Sequence, residues 1–176
     1  MTNKNNTVYF ARYSAEDIGP IGIAVTSRGL CSVALRSSKF PEALGRLVAK
    51  RGWKRVASLE KTAPYFEQIR AYLLGQRREF RLSIDWDCIA SPFQKNVLKA
   101  LRQVPFGEVI SYGDLAKRIG QPGAARAVGT ALAHNPIPLV LPCHRVVRRD
   151  GSLGGFSGGL DIKERLLTLE GVRLKK

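Results

Sequence analysis

The chain has 176 residues, enough for one domain with a substantial core or for two small ones. Hydrophobic residues at 44% and charged residues at 24% are ordinary for a globular protein, but 29 Lys and Arg against 14 Asp and Glu leave a net charge of +15, a field that favours polyanions such as nucleic acid or an acidic membrane surface. Three cysteines, Cys31, Cys88 and Cys143, are odd in number and form no Cys-x-x-Cys pair, so no disulfide framework is expected and the protein should work in a reducing interior. With only His134 and His144 to join them, a structural zinc site has too few ligands, and no metal is expected.

The polar start at residues 1–7 leads into a short strand-like run, so neither a signal peptide nor a membrane span is expected. Residues 8–13, 21–26 and 30–35 read as strands broken by Gly19-Pro20 and Arg28-Gly29, a pattern that predicts an antiparallel meander. Residues 41–50 and 63–74 have helical spacing. The second carries Tyr65, Ile69, Tyr72 and Leu73 toward a core, with Gly75 as its stop, and residues 80–84 add a candidate strand. Nothing before residue 85 has a catalytic spacing. The first domain is therefore read as a scaffold over 1–85, followed by a linker at 86–90 and a second domain over 91–176.

That second domain is mostly helical. Ser91 can cap a helix that begins at Pro92, carries Phe93, Val97, Leu98 and Leu101 on its apolar side and stops near Pro105. Ser111 with Asp114 forms a capping box for a helix through Arg118, and after the break at 120–123 a second helix spans 124–133. The pair is either a helix-turn-helix or a packing unit. On the second helix Ala125, Val128, Gly129 and Leu132 share one side and Arg126, Thr130 and Ala133 another. The outer side has one arginine and otherwise small residues, so it could approach DNA closely without reading base edges.

Pro142-Cys143-His144-Arg145-Val146 sets a thiol beside a proton acceptor. A free thiol is only a few per cent ionised at neutral pH, so a reactive cysteine needs a base or a positive field, and His144 is the nearest base. The apolar run 137–141, interrupted by Pro138, shields and constrains the approach to Cys143. The five glycines of 151–159 can bring backbone N–H groups close to a ligand or simply form a surface loop. The last helix is predicted to start after Asp161 with Glu164 completing its cap. Ile162, Leu166 and Leu169 form one stripe, and Lys163, Leu167 and Glu170 another. Glu170 falls in the last turn, where the helix dipole disfavours a negative charge, so it calls for a cationic or hydrogen-bonding partner.

Taken together, Ser111-Tyr112-Gly113-Asp114-Leu115-Ala116, Ala125-Arg126-Ala127-Val128-Gly129, Asn135-Pro136, the cysteine segment and Phe156-Ser157-Gly158-Gly159 resemble an O6-alkylguanine-DNA alkyltransferase over residues 91–174, about half the chain. The resemblance implies an α+β fold. Its N-terminal part is a small antiparallel sheet with helices, ribonuclease H-like, and its C-terminal part a mostly helical, winged helix-turn-helix-like domain. It implies that Cys143 irreversibly accepts the alkyl group from O6 of guanine in duplex DNA, and more weakly from O4 of thymine, once per molecule and without a cofactor. His144 would act as general base through a water, oriented by Glu170. Tyr112 would donate toward the purine, Ser157 interact at O6 and Lys163 support the polar network. Carbonyls of Cys143 and Val146 would accept from the guanine amino group. Arg126 would fill the space of the flipped nucleotide, with Ala127, Gly129 and Ala131 admitting the helix to the minor groove beside Ala125 and Thr130. Asn135 would tie that motif to the cysteine segment. Phe156 stands where many relatives have tyrosine and keeps an apolar pocket wall without the hydroxyl. The expected form is a monomer, with no membrane partner, in the cytoplasm or, in a eukaryote, the nucleus.

Two other classes fit parts of the pattern. A non-catalytic alkyltransferase-like protein would bind the lesion without repair, but such proteins replace the acceptor cysteine that Cys143 supplies. A winged-helix regulator would share the basic field and the helix pair, yet the Ala-rich second helix offers few base-reading side chains. More distantly, a cysteine hydrolase would turn over repeatedly.

Overall fold

A computed structural model describes residues 6–36, 40–89 and 91–173, so the start at 1–5 and Ala90 of the expected linker lie outside the described residues. The chain divides into two units, Met1–Cys88 and Ile89–Lys176.

In the first unit β1 (Thr7–Ala15), β2 (Gly19–Thr26) and β3 (Gly29–Leu35) form the expected antiparallel meander. The sheet is nevertheless mixed, because β4 (Lys54–Ala57) adds to the free edge of β1 in parallel, giving the order β3-β2-β1-β4. All four β4 residues are exposed, so this strand has no hydrophobic alternation by which a sequence could announce it. The candidate strand at 80–84 reduces to one bridge between Leu30 and Ile84.

Helix α1 (Phe40–Arg51) seats Phe40 and Leu44 in a core cluster with Val8, Ala24 and Cys31. Helix α2 (Leu59–Leu73) begins a turn earlier than its periodicity predicts, since Ser58 caps it by accepting from the Lys61 N–H at 3.2 Å and Pro64 is tolerated within the helix. Its core-facing residues are Thr62, Phe66, Ile69 and Tyr72, whereas Tyr65 and Leu73 are half-buried. Phe66 stacks on Tyr13 with ring centroids 4.0 Å apart, which fastens the helix to β1. Asp85 is buried and accepts from the Thr26 hydroxyl at 2.6 Å and from Arg28 at 3.2 Å. Burial pushes its carboxyl up, but those two partners outweigh it and hold the group below the usual carboxylate range. Residues 86–88 form a single 3-10 turn, Trp86–Cys88, inside this unit.

The first two helices of the second unit follow their capping signals. Ser91 caps α3 (Pro92–Leu101), and Ser111 caps α4 (Tyr112–Arg118), its Oγ accepting from the Asp114 N–H at 3.0 Å while donating to the Asp114 carboxylate at 2.7 Å. Helix α5 (Ala125–Ala133) packs against α3 and α4, and the Gln94 amide of α3 closes its end by donating to the carbonyls of Ala131 and His134 at 3.0 and 2.9 Å. Among the described residues of this unit, strand structure is limited to a two-residue parallel ladder between β5 (Ile110–Ser111) and β6 (Val146–Val147). Helix α6 (Leu160–Leu169) starts before Asp161, not after it. Gly159 at φ 101° holds the cap position without a side-chain bond, and Asp161 and Glu164 are exposed, so the predicted capping box does not form. No helix among the described residues is long and apolar enough to cross a membrane.

Candidate active site

Cys143 opens a single 3-10 turn, Cys143–Arg145, at the end of the apolar run 137–141. That run is constrained more tightly than its proline alone requires, because buried Leu139 takes φ 73°, a left-handed conformation that is unfavourable by about 1–2 kcal/mol for a residue with a Cβ. Asn135, just beyond α5, ties this backbone together. Its Nδ2 donates to the Leu141 carbonyl at 2.8 Å and to Cys143 Sγ at 3.1 Å, and its Oδ1 accepts from the Ile137 N–H at 3.0 Å. The end of α5 and the thiol are thus held by one buried amide.

His144 is fully buried, and its Nε2 lies 2.8 Å from Glu170 Oε1. With the proton on Nε2 the ring donates to the carboxylate, which makes Nδ1 the basic nitrogen. Glu170 receives more than histidine. Arg145 donates through Nε and Nη2 at 2.9 Å to its two oxygens, and the Gly107 N–H adds a bond of 3.0 Å. The third nitrogen of Arg145 donates to the Val104 carbonyl at 2.6 Å, and its guanidinium lies over the Phe106 ring at 5.9 Å. Glu170 caps the C-terminal end of α6, and the cationic partner that position calls for is Arg145.

Lys163 of α6 is fully buried and donates to the carbonyls of Val146 at 2.6 Å, Gly155 at 3.1 Å and Leu153. Three acceptors match the three N–H groups of the ammonium, so one side chain holds the cysteine segment to the glycine-rich loop. The Val146 carbonyl, expected to face a base, is already engaged by one of these bonds. In the same loop Phe156 meets His144 edge to face at 6.5 Å, while Ser157 is exposed.

Tyr112 packs between the loop and α5. A side-chain carbon at Gly154, where φ is 66°, would lie 2.8 Å from the Tyr112 hydroxyl, and one at Gly129 would lie 3.8 Å from its ring. Gly154→Ala is therefore expected to destabilise the protein by about 1–2 kcal/mol and to slow chemistry at Cys143 by displacing Tyr112. Thermal unfolding and single-turnover rates check this; an unchanged rate would remove Tyr112 from the site.

On α5, Arg126, Ala127, Thr130 and Ala133 are exposed, Ala125 and Gly129 are half-buried, and Val128 and Leu132 are buried. Ala131 is buried too. It packs into the core and does not belong to the exposed strip with Ala127.

The resting electrostatics are those of a restrained nucleophile. Burial pushes the Cys143 thiol up to about 11, against the smaller opposing effects of the Asn135 bond and Lys163. Burial also pushes His144 below the ordinary imidazole value, with Glu170 acting the other way, and lowers Lys163 to about 8, so at neutral pH the site holds a thiol, a neutral imidazole and an ammonium. Without DNA, alkylation of Cys143 by iodoacetamide should be slow at pH 7 and rise about tenfold per pH unit until the thiol titrates. Peptide mapping reads this site by site, and a flat profile between pH 7 and 9 would mean a preformed thiolate.

Two family models cover most of the chain. One, described as 6-O-methylguanine DNA methyltransferase, ribonuclease-like domain, matches residues 8–86, and the other, the DNA binding domain of the same family, matches residues 92–172. A methylated-DNA--protein-cysteine methyltransferase of Methanosarcina acetivorans is 39% identical over 165 residues, 93% of this chain and 99% of its own length. The chain belongs to the 6-O-methylguanine DNA methyltransferase family. A protein of the same name from Mycolicibacterium paratuberculosis is 53% identical over 104 residues, 59% of this chain, a match that spans about three-fifths (62%) of that relative's length. Among solved structures, Mycobacterium tuberculosis OGT in complex with DNA superposes with a TM-score of 0.73 at 34% identity, covering 93% of this chain and 92% of that one.

As a member of this methyltransferase family, the chain gathers Cys143, His144, Glu170, Asn135, Val146, Lys163 and Phe156 around one centre. Sequence reasoning missed Arg145, Gly107 and Gln94. The signal for Arg145 was present: a glutamate predicted to need a cation, and an arginine inside the cysteine segment itself.

Proposed function

We propose that this protein removes the alkyl group from O6-alkylguanine in duplex DNA, and more weakly from O4-alkylthymine, by transferring it to its own Cys143 after the nucleotide has been rotated out of the stack. The single observation that carries the reading is the Asn135 amide, which joins the nucleophilic sulfur to the end of an exposed, Ala-rich helix bearing Arg126. Arg126 would occupy the space of the flipped base, and small neighbours would let the helix into the minor groove.

In this reading the Cys143 proton passes through a water to His144 Nδ1, and Glu170 stabilises the imidazolium that results. The thiolate attacks the alkyl carbon in line, the carbon–oxygen bond breaks, and its electron pair goes to O6. Hydrogen-bond donation from Tyr112 and Ser157 offsets the charge developing on the purine, which then takes up a proton to become guanine. The Val146 carbonyl has a second lone pair, so it can accept from the guanine amino group while keeping its bond to Lys163. A thiol whose burial keeps it protonated does not react indiscriminately, and its activation is linked to arrival of the base.

The thioether has no leaving group under mild conditions, so each molecule acts once, without a cofactor. We assign the chemistry to the domain over 91–176 and the scaffold role to 1–85, in a monomer working in a reducing cytoplasm or nucleus. The test is intact mass after incubation with a duplex containing O6-methylguanine. One added methyl group mapping to Cys143, with guanine restored and no second turnover, supports repair, whereas DNA binding without a mass change would move the protein to lesion sensing or regulation. Because added carbon overpacks a buried site, the alkylated form should unfold at a lower temperature, with a loss of about 1–3 kcal/mol. Equal midpoints before and after reaction would count against a tight pocket.

A further inference from the structure

The first unit carries a feature that the alkyl-transfer site does not use. Helix α2 ends in a Schellman motif: the Gly75 N–H donates to the Tyr72 carbonyl at 2.9 Å, the Gln76 N–H donates to the Ala71 carbonyl at 2.9 Å, and Gly75 takes φ 71°. The chain turns sharply there and runs through Gln76, Arg77, Arg78, Glu79 and Arg81, which line a cleft of about 390 Å³.

The lining segment is built, not loose. At its far end Gln68 of α2 grips the backbone of Arg81 with both halves of its amide, Oε1 accepting from the Arg81 N–H at 2.9 Å and Nε2 donating to the Arg81 carbonyl at 3.2 Å. In the middle the Phe80 ring packs on Tyr72 with centroids 5.1 Å apart, and Arg77 Nη1 donates to the Glu79 carbonyl at 3.0 Å. Buried Leu82 and Ile84 follow. Three guanidinium groups are therefore presented on a backbone fixed at both ends, with one carboxylate among them. Guanidinium is the side chain whose planar fork fits phosphate oxygens, and preorganisation reduces the entropy lost on binding. The negative end of the α2 dipole is muted, because the Schellman bonds satisfy its last carbonyls.

We infer that the cleft at Gln76–Arg81 is a second nucleic-acid contact, which binds the phosphodiester backbone of duplex DNA through Arg77, Arg78 and Arg81. The inference rests on the proposed DNA substrate but adds a site in the domain that carries no chemistry. The rest of the unit supports a polyanion: outside the cleft, Met1–Cys88 holds 12 Lys and Arg against 7 Asp and Glu, a net +5 by difference. The contact reads charge and spacing alone, so it adds affinity without sequence preference.

The test uses the full chain with Arg77, Arg78 and Arg81 all replaced by alanine, and a companion with all three replaced by lysine. Binding to a long undamaged duplex is titrated across salt concentrations, and methylation of Cys143 by a saturating short duplex containing O6-methylguanine is followed separately by intact mass. The alanine variant should bind at least about tenfold more weakly at low salt, with a log–log salt slope shallower by about 2–3, and the lysine variant should keep most of the slope. An alanine variant with the parental slope would overturn the site, and so would a lysine variant that loses the slope as fully as the alanine one. The repair reaction separates this failure from that of the repair reading: unmodified Cys143 in the parent protein would sink the repair chemistry, whereas normal methylation with an unchanged slope sinks only the cleft.

Discussion

Cys143→Ala is expected to abolish alkyl transfer, with less than about one part in ten thousand of the parental single-turnover rate, while DNA affinity stays within about twofold. The two readouts separate because the sulfur is the only atom removed. Asn135 Nδ2 keeps its bond to the Leu141 carbonyl at 2.8 Å, so the amide that links α5 to the cysteine segment is not orphaned. The void left by one sulfur in this buried site should lower stability by only about 1 kcal/mol, and the exposed face of α5 is untouched. Intact mass reads transfer, and fluorescence anisotropy with a labelled duplex reads binding. Persistent methylation of the variant, mapped to half-buried Cys88 or to buried Cys31, would reassign the acceptor. Loss of binding together with transfer would instead mean that the thiol shapes the helix pair, as in a regulator whose cysteine is structural. Iodoacetamide offers a cross-check, since the variant should lose the pH-dependent labelling expected of the buried Cys143 thiol.

How far the sequence announced this arrangement depends on whether a residue's role is local. Ser91 and Ser111 act on N–H groups three residues away, so both helix starts were readable from spacing. Glu170 declared a need, a negative charge at the wrong end of a helix, but not its partner, because Arg145 lies 25 residues away and meets it only through the fold. β4 was invisible for a different reason. Both faces of an exposed edge strand are solvated, so Lys54–Ala57 has no apolar period, and its pairing comes from backbone bonds such as Lys54 N–H to the Asn6 carbonyl at 2.7 Å. The failed capping box at Asp161 shows the opposite error: a valid local signal displaced when Gly159, with its positive φ, lets the Lys163 N–H reach the Gly159 carbonyl and starts the helix two residues earlier. Ala131 illustrates the limit of composition, since an alanine reads alike in a core and on a groove-facing strip. The proposed catalytic roles come from motif resemblance, and the geometry adds why these residues sit together.

Glu170→Gln should be the most damaging conservative change in the molecule. Four donors face the carboxylate: His144 Nε2, Arg145 Nε and Nη2, and the Gly107 N–H. An amide keeps one acceptor oxygen but turns an NH2 toward donors whichever way it is placed, and it leaves the Arg145 guanidinium, only 6% exposed, without its countercharge. Removing one member of a buried ion pair destabilises by about 3–5 kcal/mol. Chemistry suffers separately. Glu170 is the group that raises the basicity of His144 against burial, so its loss pushes the imidazole further below its ordinary value and makes the protonated ring harder to form as the thiol ionises. The single-turnover rate should fall about 10²–10⁴-fold. The rate should also depend more steeply on pH, since hydroxide must replace the missing base strength. The double variant Glu170→Gln with Arg145→Met distinguishes positioning from mere support. It removes the uncompensated cation, so unfolding should return most of the way toward the parent, yet the rate should stay low because the imidazolium still has no carboxylate partner. If restoring stability also restores the rate, Glu170 does nothing for His144 beyond holding the fold.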